Sequence, residues 1–65
     1  MKVIVTDIST SDVIVYTLNE DYFNYKKEDE DESEVIENVI SKYHKLGNVS
    51  WMQLEDDFKI EFKNI

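Results

Sequence analysis

Three features of this 65-residue chain predict an α+β fold, with one amphipathic helix packed on an antiparallel sheet of four or five strands. Short β-branched and aromatic runs lie towards both ends, a single three-and-four apolar spacing runs through the second half, and turn-forming clusters separate the runs. The order they give is β-β-(β)-α-β-β, the bracketed strand being the shortest. The length predicts one domain, residues 1–65, near the lower limit at which a hydrophobic core alone outweighs chain entropy.

Met1 to Ile8 consists mostly of β-formers, with Val3 and Val5 on one face and Ile4, Thr6 and Ile8 on the other, and reads as the first strand. Ser9-Thr10-Ser11-Asp12 supplies side chains that bond nearby backbone in turns, and Val13 to Leu18 resumes the β-branched pattern, so a hairpin is expected. Asn19-Glu20-Asp21 marks another turn. Tyr22, Phe23 and Tyr25 then form the short third strand, ending at Lys26-Lys27.

The helix is read from Val35, Ile36, Val39, Ile40 and Tyr43, which share one stripe that Leu46 extends. Asp31 or Ser33 can cap its start, and Asp31 with Glu34 has capping-box spacing. Lys42 and Lys45 suit the negative end of the helix dipole, and Gly47-Asn48 is the expected stop. Val49 to Leu54 follows as a strand, Glu55-Asp56-Asp57 as a turn, and Phe58 to Ile65 as a strictly alternating strand. In that last strand Phe58, Ile60, Phe62 and Ile65 are expected to face the core, while Lys59, Glu61 and Lys63 face water.

Charge is the second theme. The formal net charge is −8, and seven of fifteen acidic residues fall between Glu28 and Glu37, with Glu28, Asp29, Glu30, Asp31 and Glu32 consecutive. Nucleic acid and anionic membrane surfaces would repel such a chain, so a basic partner is the expectation, with no direct nucleic-acid or membrane contact. Arg is absent, and all seven cations are Lys, which lacks the planar two-pronged clamp that Arg places on a carboxylate. The acidic run therefore has no strong internal neutraliser. Absent Cys and a first apolar run too short for a signal or a span, the chain is expected in the cytoplasm.

No catalytic set emerges, and a non-enzyme without cofactor is expected. The only His, His44, adjoins Tyr43 near the helix end, where a cation suits the dipole and a structural role is sufficient. Ser9 to Asp12 lack a second His, a Cys or a Gly-rich anion hole, and read as a turn. Asp29, Asp31 and Ser33 alternate like calcium ligands, yet no Gly follows to turn the loop, so no metal site is assigned.

The acidic run is instead read as a contact surface. In an extended segment, alternate carboxylates repeat at roughly 6.6 Å and can line one edge as phosphates do. Glu28, Asp29, Glu30, Asp31, Glu32, Glu34 and Glu37 are the candidate partner-binding acids, with Tyr22 and Tyr25 as candidate anchors beside them. Phe23, Trp51, Phe58 and Phe62 are assigned to the core.

A small, acidic, Cys-free α+β chain in which Lys26-Lys27-Glu28-Asp29-Glu30-Asp31-Glu32-Ser33-Glu34 feeds an amphipathic helix resembles phage-encoded nucleic-acid mimics. Among these are anti-CRISPR proteins that block the DNA channel of a Cas nuclease, and inhibitors of uracil-DNA glycosylase. The resemblance is one of size, charge and layout. It implies a non-enzymatic inhibitor, monomeric or homodimeric, that occupies the basic groove of a Cas nuclease, glycosylase or similar protein in the host cytoplasm. The alternatives are an acidic antitoxin or immunity protein, and a regulatory module that binds a basic partner or pairs through an exposed strand edge.

Overall fold

The computed structural model describes residues 1–24 and 31–65. Strand β1, Lys2–Asp7, lies at the centre of a three-stranded antiparallel sheet, between β2, Asp12–Thr17, and β3, Val49–Leu54. Register places Val3 opposite Tyr16 and Gln53, Val5 opposite Ile14 and Trp51, and Asp7 opposite Asp12 and Val49. Directly paired residues share a face, so these nine positions make one side of the sheet. Flanked on both sides, Val3 and Val5 are wholly buried.

The β1–β2 connection spans residues 8–11. Ser11 takes φ 60°, the only positive value at a non-glycine among the described residues. Asp7 fastens this turn: its Oδ1 accepts from the Ser9 amide at 2.9 Å and the Ser9 hydroxyl at 2.5 Å. A carboxylate bonding the backbone two residues on is the usual Asx device of a turn.

Tyr22 and Phe23 do not form the expected strand, since Asp21–Asn24 is a helical turn, α1; Tyr25, Lys26 and Lys27, the rest of that expected strand, lie outside the described residues. Asn19 decides this. Its side-chain Oδ1 accepts from Asp21 N–H at 3.0 Å and its carbonyl accepts from Tyr22 N–H at 3.1 Å, winding the chain helically. Leu18 before the turn is buried and Phe23 within it packs on the same core, so the turn is closed by apolar contact as well.

Helix α2, Glu32–Ile40, buries Val35, Ile36, Val39 and Ile40. Of these, Ile36, Val39 and Ile40 join Val3, Val5 and Leu18 in the core, each burial stabilising by about 1.5–3 kcal/mol. The helix ends well before the expected stop at Gly47. Beyond Ser41 the chain tightens into bonds from Lys42 N–H to Val39 O and Tyr43 N–H to Ile40 O, and the Ser41 hydroxyl donates to Asn38 O at 2.7 Å. Tyr43 and Leu46 are consequently exposed and not part of the stripe, no basic residue lies in the last turn, and Leu46–Asn48 forms a short 3-10 turn before β3.

The sheet has three strands among the described residues, because Phe58–Ile65 does not pair as a strand. Phe58 N–H donates to Glu55 O at 3.1 Å, closing a tight turn with Asp56 and Asp57 at its centre. Neither Asp has positive φ. Two-residue hairpin turns need positive φ to match the right-handed strand twist, and a turn of the other hand splays the chain off the edge it has just left. Phe58 is half-buried, with the Lys2 ammonium 5.6 Å from its ring centroid, but Ile60, Phe62 and Ile65 are exposed, Phe62 by 96%. The core assignment thus fails for Phe62 and holds for Phe23 and Trp51, which pack against the buried cluster. The radius of gyration, 13.2 Å, exceeds the value of about 11 Å for a compact chain of this length.

Candidate functional site

Asp31 caps α2. Its backbone is extended, and its Oδ1 accepts from Glu34 N–H at 2.9 Å, so the cap falls to Asp31 and not to Ser33. With that terminus satisfied, Glu32, Glu34 and Glu37 are left exposed in the first two turns. The 3.6-residue period sets Glu34 and Glu37 on the face opposite the buried stripe, and Glu32 nearer the stripe at the tip. The carboxylates of the first turn sit where the helix dipole favours negative charge.

Glu32 has a neighbour that sequence reasoning missed. It lines a hollow of about 290 Å³ together with Glu20, Phe23 and Met1, so carboxylate residues from two distant segments border one concavity beside a half-buried aromatic ring. The signal available beforehand was slight: Glu20 is one polar residue in a turn, and only the helical winding of α1 against α2 brings it there. Of the other candidate acids, Glu28, Asp29 and Glu30 lie outside the described residues, as does Tyr25. Tyr22 is 40% exposed, but the Lys42 ammonium stands 5.4 Å from its ring centroid and covers part of the face that would stack on a partner. The described ion pairs are His44–Asp7 and Lys63–Glu61, and neither uses an acid of α2.

A second polar cluster lies beneath the other end of α2. Oδ2 of Asp7 is 2.7 Å from Nδ1 of His44, whose Nε2 is 2.7 Å from the Tyr16 hydroxyl. An ionised carboxylate only accepts, so Nδ1 carries a proton and, in the neutral ring, Nε2 accepts from Tyr16. The Ser9 hydroxyl and then His44 hold the Asp7 carboxyl below its ordinary 3.8, while burial pushes it the other way. Tyr43 stacks on Tyr16 at 5.8 Å between centroids. Carboxylate, imidazole and hydroxyl follow one another as in a nucleophilic relay. Here the Asp7 and His44 side chains are only 6% and 8% exposed, and the chain of bonds ties β1, β2 and the segment after α2 together. His44, expected to be structural or solvent-facing at the helix end, has its side chain buried there and tied to Asp7 and Tyr16.

Among the described residues, no three His, Asp or Glu side chains converge as metal ligands, and no helix is long and apolar enough to cross a membrane. No family model, curated protein or solved structure matches this chain.

Proposed function

We propose that this protein is a non-enzymatic inhibitor that sets the acidic start of α2 into the basic nucleic-acid-binding groove of a host defence or repair protein, with a Cas nuclease as the first candidate. One observation carries the reading. Glu32, Glu34 and Glu37 are exposed on a helix whose capping is already supplied by Asp31, and Glu20 shares with Glu32 a hollow suited to a Lys or Arg side chain. The backbone that carries these carboxylates is already helical, and no described lysine has to be displaced from them, so a groove that evolved for phosphates meets them without a backbone-ordering cost. A net charge of −8 adds long-range attraction and fast, salt-sensitive association. Such a protein acts by exclusion: while it fills the groove, nucleic acid cannot.

The test is displacement of labelled DNA from a Cas nuclease or a uracil-DNA glycosylase at several salt concentrations. Displacement should weaken steeply as salt rises. The variant carrying Glu32→Lys, Glu34→Lys and Glu37→Lys should lose it while retaining the wild-type circular dichroism. Undiminished displacement by this folded variant would sink the reading.

A further inference from the structure

The segment after β3 has the pattern of a strand but pairs with no strand among the described residues. Phe58, Ile60 and Phe62 alternate with Lys59, Glu61 and Lys63, and Lys63 Nζ reaches Glu61 Oε2 at 3.1 Å, two residues apart, as neighbours on one face of an extended chain do. Its apolar face is bare at Phe62, 96% exposed, and at Ile60, 52% exposed. At the same time β3 is an outer strand of the sheet and carries no charge, no Pro and no Gly from Val49 to Leu54. Those are the devices that normally keep an edge from pairing. Beside β3, an open apolar hollow of about 260 Å³ is lined by Ile4, Thr6, Ser50 and Met52, which lie on the sheet face away from the core, and by Trp51, whose register puts it on the core face.

The tail cannot simply fold back on its own β3, since the Asp56–Asp57 turn has the wrong hand for a two-residue hairpin. No such constraint applies between molecules. We propose that residues 58–65 of one copy add as a fourth strand to the β3 edge of a second copy, with Phe62 or Ile60 seated in the hollow beside Met52, and that the exchange is reciprocal. A two-fold arrangement uses each tail and each edge once and closes the assembly. Phe62 alone would bury about 150–250 Å² per copy. Doubling this by symmetry and adding Ile60, Ile65 and the paired backbone brings the contact to on the order of 1,000 Å², the scale a specific interface needs. Lys59 and Lys63 outnumber Glu61, so the tail itself adds no repulsion to the meeting of two acidic copies.

The full chain should sediment as a dimer when raised from about 1 to about 100 µM, and Phe62→Asp should raise the dissociation constant at least about tenfold. Because Phe62 is almost fully exposed in the single chain, the substitution leaves the core intact, which circular dichroism would verify. Dimerisation of two acidic copies should also tighten with salt, the opposite of groove binding, and Phe62→Asp retains every acid of α2, so either idea can fail without the other. Amide exchange at concentrations above the dissociation constant should slow along β3 in the wild type but not in Phe62→Asp. A wild type that stays monomeric over this range, a dimer indifferent to Phe62→Asp, or protection along β2 instead of β3 would each overturn the proposal.

Discussion

His44 Nδ1 lies 2.7 Å from Asp7 Oδ2, a contact that joins the end of the first strand to the segment after the helix across 37 positions of chain. The pairing makes stability depend on acid. The folded-state carboxyl of Asp7 is lowered first by the Ser9 hydroxyl and then by His44. Its contribution is therefore fully present above the unfolded value of about 3.9 and lost as pH falls through the lower folded-state value. Urea midpoints of wild type and Asp7→Asn should differ at neutral pH and converge as the solution is acidified below that point. A gap that stays constant with pH would show that Asp7 acts through packing alone.

Tyr16 completes the same chain of bonds, its hydroxyl 2.7 Å from Nε2. Tyr16→Phe keeps the ring that stacks on Tyr43 and removes only the hydroxyl, leaving a shielded ring nitrogen without its partner. The expected loss is about 1 kcal/mol, readable as a lowered denaturation midpoint at unchanged slope.

Asp31 separates a structural acid from its neighbours. Asp31→Ala should cost about 1 kcal/mol of stability through the lost bond to Glu34 N–H, whereas Glu34→Gln and Glu37→Gln should each shift stability by no more than about 0.5 kcal/mol. Thermal melts of the three single variants check the contrast. In a displacement assay the order should reverse, the glutamine variants being the weaker competitors.

The core has little to spare. Ile40 is 1% exposed within the cluster, and Ile40→Ala should cost about 2–5 kcal/mol. At about 0.05–0.15 kcal/mol per residue the whole domain holds roughly 3–10 kcal/mol, so this variant removes a large share of it and should lower the melting midpoint by about 10 °C or more by circular dichroism.

What could be read from the chain in advance was what local chemistry decides. The strands around Val3–Val5, Val13–Val15 and Val49–Leu54 follow from β-branched alternation, and the start of α2 follows from Asp31 ahead of Val35 and Ile36. The end of α2 was illegible because a distant group helps set it: His44 is bonded to Asp7, and the last turn tightens before it. Asp7 itself sat on the Val3–Val5 face by simple alternation, a signal overlooked because a carboxylate in that position has meaning only once its partners are known. The strand expected at Tyr22 lost to Asn19, whose two bonds wind the chain the other way. In the tail, the alternation of Phe58, Ile60 and Phe62 was plain, but whether it pairs depends on the hand of a two-residue turn, which Asp56-Asp57 does not spell out. Of the candidate acids, Asp31, Glu32, Glu34 and Glu37 were placed on one helix, whereas Glu20 needed the fold to join them.

Helix α2 is held from its later turns, where Ile36, Val39 and Ile40 enter the core and the next segment is tied down by His44, while Glu32, Glu34 and Glu37 near its start stay exposed. The eight steps of about 1.5 Å along this nine-residue helix put about 12 Å between the two ends, far enough for substitutions at one to be nearly independent of the other. The tip can therefore drift through many spellings of charge while every intermediate remains folded. If the proposed groove binding holds, three or four surface letters set what the chain meets, without reopening the question of how it folds.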